Sequence, residues 1–266
     1  MPRQRSSDRP RQQDFDRAGL KQPDHSAQSA LREFNRRAGR SQAHHPLFGQ
    51  ATEVEMMRFD EDALTARLAA LCSDVRRRVF AASCAQRLAP AYIAFCDEVG
   101  GQESRASSFL GLLANGWSSL TSPANAHSFD AEQAIEVAMD LIPDESFASL
   151  RLYPFAEDAS SSLAYLLRSW VADVARECAW AGRVAYEASD QAVLRLRGSP
   201  PRNAFEESDV LSSPIVQHEL GRQERDLVLL RRDASDAGLA VELRQLAAID
   251  GQHWQTLALK LAGAAN

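Results

Sequence analysis

Lysine is almost missing from this sequence. Of its 30 basic side chains only Lys21 and Lys260 are lysines; the other 28 are arginines. Neither lysine lies in the body of the chain, so a Schiff-base lysine is excluded there. The GxxxxGK loop that cradles nucleotide phosphates does not occur, which excludes P-loop chemistry. No GxGxxG follows a strand, and no convincing strand pattern exists, so a dinucleotide crevice is excluded as well. The GxSxG elbow of serine hydrolases is also missing. Cys72, Cys84, Cys96 and Cys178 are the only four cysteines and form no CxxC pair. They read as reduced structural thiols. No run approaches the roughly 18 uninterrupted apolar residues of a membrane span. The basic N-terminus lacks the apolar stretch of a secretory signal. The expected setting is the cytoplasm, with no membrane partner and no cofactor.

Histidine is scarce and scattered. "HELGR" at 218–222 begins like a zinc-binding HExxH helix, but the second imidazole position holds Arg222. His218 and Glu219 therefore read as surface residues, with Glu219 pairing Arg222 one turn on. His44 and His45 are adjacent near the N-terminus, and His127 and His253 are isolated. No ExxH occurs, so the Glu-plus-ExxH carboxylate sites of helical bundles are not expected either. The reading is no metal site and no catalytic constellation.

Charge is distributed unevenly. Residues 1–50 carry ten basic and five acidic side chains, a balance of +5; the whole chain is −6, which leaves −11 for residues 51–266. An acidic body argues against nucleic-acid binding by the folded part. The first 57 residues, rich in Arg, Gln, Ser and Pro, bury too little surface to offset ordering entropy and are expected to be a disordered basic tail. Such a tail reads either as a weak arm for nucleic acid or as a solvated segment. Met56 and Met57, just before the first patterned helix, offer an alternative translation start.

From there the pattern is helical throughout. Asp60 and Ser73 read as N-caps of successive helices. Pro90 reads as the first turn of a further helix, which Gly100-Gly101 stops. Arg76, Arg77 and Arg78 point about 100° apart on a helix, so they form no cluster and read as a solvated face. Apolar faces recur through Phe109–Trp117, through 129–144 and through 154–196, the last one helix or two bent near Trp170–Asp173. "GSPPRNAFEE" at 198–207 reads as a loop. Ser213-Pro214 opens a helix reaching about Gly238, and an Ala/Leu-rich helix follows. The expected fold is all-α, a bundle of about seven to nine helices. The expected divisions are residues 1–57 as tail, 58–238 as helical domain and 239–266 as a C-terminal extension.

The acid pair in "LYPFAEDASSSL" looks catalytic at first sight. Pro154 fits the first turn of a helix, which places Glu157 and Asp158 near its positive end, and adjacent acids on a helix diverge. An ordinary helix start accounts for both.

"FAASCAQRLAPAYIAFCDEVGG" (80–101), "IPDE" (142–145), "LYPFAEDASSSL" and "SSPIVQHELGRQERDLVLL" (212–230) resemble the YjaG-like family, number 416 of the bacterial families of unknown function. The matching positions are Cys84, Arg87, Pro90, Tyr92, Phe95, Pro143, Tyr153, Pro154, Asp158 and Ala159. The resemblance implies a compact helical cytoplasmic protein and implies no activity. Most of these residues suit helix ends and core packing. Arg87 and Asp158 are the charged exceptions, and a structural ion pair between them is expected first. The expected function is a non-catalytic interaction or regulatory module, with an unknown protein partner or a second copy of the chain. The alternative is an anion-binding protein or enzyme, with a site between helices built from Arg87, Asp158, Tyr92 and Tyr153.

Overall fold

A computed structural model describes residues 56–122, 129–198 and 204–263. Among these residues there are nine α-helices and no strand. They are α1 (Glu61–Ala69), α2 (Asp74–Val99), α3 (Glu103–Thr121), α4 (Ala131–Asp140), α5 (Tyr153–Arg168), α6 (Val174–Arg197), α7 (Ala204–Leu211), α8 (Pro214–Leu230) and α9 (Asp236–Gly263). The all-α expectation holds. The expectations placed on residues 1–55, including His44 and His45, and on His127 lie outside the described residues.

Caps start the helices where the sequence places them. The Asp60 carboxylate accepts from Ala63 N at 2.9 Å and the Ser73 hydroxyl accepts from Arg76 N at 3.2 Å, each satisfying a donor that a helix start leaves unpaired. The hinge expected near residues 170–173 is a true break, with Asp173 capping α6.

Helix α2 is the centre of the molecule. It packs against α3, α5, α6, α8 and α9, and Val79, Phe80, Ala82, Leu88 and Tyr92 on it are wholly buried. On length and composition it could cross a membrane, yet here other helices cover it. The break expected at Pro90 does not occur: Pro90 lies inside one continuous helix that ends at Gly100 and Gly101, both at positive φ. An interior proline removes one N–H and orphans the carbonyl of residue i−4, a cost of about 3 kcal/mol. Packing offsets that cost. Gly251 of α9 sits over the interruption, where a Cβ would lie 3.4 Å from Gln86 O and 3.5 Å from Pro90 Cγ. The two longest helices thus meet where α2 is weakest.

Two further boundaries differ from the sequence reading. The segment read as a loop at 198–207 already enters α7 at Ala204. The helix opened by Pro214 stops at Leu230, and α9 begins at Asp236, so the division expected at 238/239 falls inside a continuous helix. Rather than an addition to a finished domain, α9 is the principal partner of α2.

The three consecutive arginines are not a solvated face. They diverge as expected, but each reaches the carbonyl end of a different helix. Arg76, nearly buried, donates to Leu230 O at 2.8 Å, Arg232 O at 3.0 Å and Ala234 O at 2.7 Å beyond α8, and to Asp236 at 2.7 Å. Arg77 donates to Leu68 O, Ala69 O and Leu71 O at the end of α1. Arg78 donates to Ser169 O at the end of α5 and lies over the Trp170 ring, 4.9 Å from its centroid. Arg105 does the same for Asp140 O and Ile142 O after α4, and Arg151 for Ala262 O in α9. A helix C-terminus leaves carbonyls unpaired and carries partial negative charge, and a forked cation answers both. An Arg76→Leu substitution is expected to cost about 2–3 kcal/mol. Arg76→Lys should recover less than half of that, because an ammonium cannot reach four acceptors fixed around a planar fork. Urea denaturation of the three proteins checks both outcomes.

Candidate functional site

The largest concentration of buried charge lies where α2, α6 and α8 meet. Arg87 faces α8 one turn before Pro90 and is wholly buried. Its Nε and Nη2 donate to the two oxygens of Glu219 at 3.2 and 2.9 Å. Nη1 donates to Asp226 Oδ2 at 2.6 Å, and Nη2 also reaches Cys84 Sγ at 3.3 Å. Four of its five N–H groups are therefore engaged. Burial alone would lower the affinity of this guanidinium for its proton; the facing Glu219 and Asp226 carboxylates more than reverse that and hold it well above its ordinary range.

The carboxylates are fixed in turn. Gln223 Nε2 donates to Glu219 Oε1 at 3.1 Å and to Gly182 O of α6 at 2.9 Å. Gly182 permits this approach: a Cβ there would lie 3.0 Å from both Leu64 Cδ2 and Phe80 Cε1. Arg225 donates to Asp226 Oδ1 at 2.7 Å and to Asp250 of α9 at 2.8 Å. Arg222 pairs with the other Asp250 oxygen at 3.3 Å and lies 3.9 Å from Glu219. Three guanidinium groups and three carboxylates thus form one neutral array from the core to the α8–α9 surface. Beside it, burial raises the Cys84 thiol far above its ordinary range, so it stays protonated and unreactive.

Two expectations are corrected here. Arg87 does not pair with Asp158; its partners are Glu219 and Asp226. Glu219 is not a surface residue but fully buried, although its i+3 relation to Arg222 does exist. His218 alone of that pair is exposed. The sequence carried a signal for this: Glu219, Gln223 and Asp226 recur at helical spacing with Val216 and Leu230, all buried. Polar residues on an apolar stripe mark a buried network.

The four residues expected to share a site have separate surroundings. Tyr92 donates from its hydroxyl to Leu141 O at 2.8 Å and stacks on Phe109 at 4.5 Å between centroids, which makes it a further cap for α4. Tyr153 opens α5 and packs, half-buried, on the core. Asp158 lies part-buried on α5, within the electrostatic reach of Glu187 of α6. Burial pushes its carboxyl up to about 8, and the nearby charges of Glu187 and Glu157 add to the effect. Among the described residues no group of three or more His, Cys, Asp or Glu side chains is arranged to hold a metal ion.

Comparison with known families decides the kinship. The family described as "Protein of unknown function (DUF416)" matches residues 64–253. The chain belongs to the DUF416 family. A crystal structure of a DUF416 family protein from Shewanella baltica OS155 is similar to it, with a TM-score of 0.58 and 18% sequence identity, over 69% of this chain and 92% of that one. At that identity the likeness concerns the fold. No curated protein matches the chain. The matched DUF416 region contains the whole charged array and ends at His253, inside α9.

Removing one member of a buried ion array leaves its partners uncompensated. Arg87→Met is therefore expected to cost about 3–5 kcal/mol, whereas the combined Arg87→Met, Glu219→Met, Asp226→Leu protein should regain most of that loss. Denaturant titration of both proteins tests it, and equal loss in the two would contradict it. Asp158 yields an expectation of opposite kind. Its folded pKa is raised, so the folded chain holds a proton that the unfolded chain releases above about pH 4. The stability that this proton confers is lost as pH rises from about 4 toward the folded value of about 8. Asp158→Asn should stabilise the protein more at pH 8.5 than at pH 5.5, as read from urea midpoints at the two pH values.

Proposed function

We propose that this DUF416 protein is a non-catalytic helical interaction module, working in the cytoplasm through contact with another protein surface. The observation that carries the reading is the closure of the charged array. Arg87, the fully buried cation that could have received an anionic ligand, already has four of its five N–H groups engaged by Glu219, Asp226 and Cys84, and its carboxylates are held by other protein groups. A buried guanidinium so neutralised would have to break those pairs before it could bind a substrate, losing several kcal/mol of the kind described above. Tyr92, Tyr153 and Asp158 do not converge on it. Rigid helices tied end to end by arginines suit a scaffold that presents a surface.

The alternative of an anion site around Arg87 and Asp158 finds less support, since Asp158 lies among acids and Arg87 among its own counter-charges. The discriminating experiment is the intact native mass of the untagged protein purified from its own cell at low salt. The expected result is the chain plus a protein partner or a second copy. A lone chain, or a chain carrying a small added mass, would contradict the interaction reading.

A further inference from the structure

Helix α9 has two faces of different character. The inner one is apolar: Leu239, Ala240, Leu243, Ala247, Gly251, Trp254, Leu257, Ala258 and Leu261 are buried, chiefly against α2. The outer one is unusual for an exposed helix in a chain of which a quarter is charged. Val241, Gln245, Ala248, Gln252, Gln255 and Leu259 are all exposed and follow one another by four, three, four, three and four residues. That spacing keeps them on a single stripe, without an ionic side chain on it. Between Gln245 and Leu259 the titratable side chains are Asp250, which points inward to Arg222 and Arg225, and half-buried His253, which lies against His218; Glu242 and Arg244 stand beside the first turn of the stripe. Ile249 flanks the stripe. Val241 and Ile249 are 48% exposed and Leu259 is 69% exposed, among the largest values for apolar side chains here.

The order of residue types along the stripe identifies what covers it. Read from either end about residue 250, the stripe gives an aliphatic residue, then a glutamine, then the Ala248/Gln252 pair. We infer that α9 pairs antiparallel with α9 of a second copy of this chain, about a two-fold axis near Asp250. This rests on the interaction reading and names its partner. The pairing sets Val241 against the partner copy's Leu259, and Leu259 against its Val241. Glutamines 245 and 255 meet across the seam as amide donors and acceptors. The two Ile249 side chains lie on the same flank beside the axis, because a two-fold axis carries each flank of an antiparallel helix onto its own copy. On that flank Lys260 lies within two residues of level with Glu242 of the second copy, which already pairs with its own Arg232, so the rim contact adds little. A partner with a charged or strongly apolar face would match this stripe less well, since four of its six residues carry an amide or a small side chain.

The contact is small. Residues 241–259 span about 27 Å at 1.5 Å per residue, which for a helix roughly 11 Å wide covers on the order of 300 Å² per copy. A standard interface takes about 800 Å² per partner, so the dimer is concentration-dependent rather than obligate. Sedimentation equilibrium of the full chain at about 1 to 200 µM is expected to show a reversible monomer–dimer equilibrium. Ile249→Arg and Leu259→Arg, both at exposed positions, should each weaken it at least tenfold with unchanged helical circular dichroism. In a Cys72→Ser background, the chain carrying both Val241→Cys and Leu259→Cys should form an interchain disulfide on mild oxidation, and each single cysteine should not. A monomer at every concentration overturns the inference. A dimer indifferent to both arginines, or one cross-linked by Val241→Cys alone, overturns it too. In those last two cases, or if the native mass holds a different protein, the interaction reading survives while this surface assignment fails; a lone chain in the native mass and at every concentration removes both.

Discussion

A guanidinium can be buried only where counter-charge and hydrogen-bond acceptors are already built, and Arg87 is buried completely. That requirement organises the centre of the protein. Glu219 and Asp226 must stand one above the other on α8, so α8 must lie along α2 at that height. Gln223 holds Glu219 and is itself held by Gly182 O, so α6 must approach closely enough to exclude any side chain at 182. Arg225 balances the remaining charge of Asp226 and hands it to Asp250, which commits α9. Four helices are fixed by one neutral array, and the apolar core around it then has little freedom of register. Apolar contacts supply most of the driving force for folding, but they are tolerant of sliding. The directional ion array supplies what they lack.

The same residue type closes the helix ends. Arg76, Arg77, Arg78 and Arg105 each donate to carbonyls at the end of a helix other than their own, and Arg151, in the turn before α5, does so for the end of α9. A lysine could offer a charge at these places but not the planar fork by which Arg76, Arg77 and Arg105 reach two or three carbonyls at once. The scarcity of lysine therefore has a structural counterpart in this fold. The sequence reading attributed runs of arginine to solvent because successive helical positions diverge. Divergence was correct, and it is the reason one turn of α2 can serve three neighbours.

Much of the fold is legible from local pattern: the all-α class, the caps Asp60 and Ser73, the stop at Gly100, and the hinge after α5. What was not legible depended on contacts distant in sequence. Pro90 has the local chemistry of a helix start, and only the packing of Gly251, 161 residues later by number, explains why α2 runs through it. Glu219 has the local chemistry of a surface residue, and only its place on a stripe with Val216 and Leu230 betrays burial. Arg87 and Asp158 stand out together as the charged positions of the motif, but membership of one motif does not require contact, and the partners of Arg87 lie on α8. Asp158 instead stands among acids on another interface, where burial keeps its proton on.

The central claim is that the Arg87 charge is closed within the protein. Its Nε–H resonance, assigned through its own side-chain carbons in an ¹H–¹⁵N spectrum of the full chain, tests this directly. A sealed ion array requires a resolved signal that exchanges with water far more slowly than those of exposed arginines such as Arg244, and that stays in place when inorganic phosphate is added. A signal that exchanges as fast as Arg244, or that shifts with phosphate, would show an open cation and contradict the account.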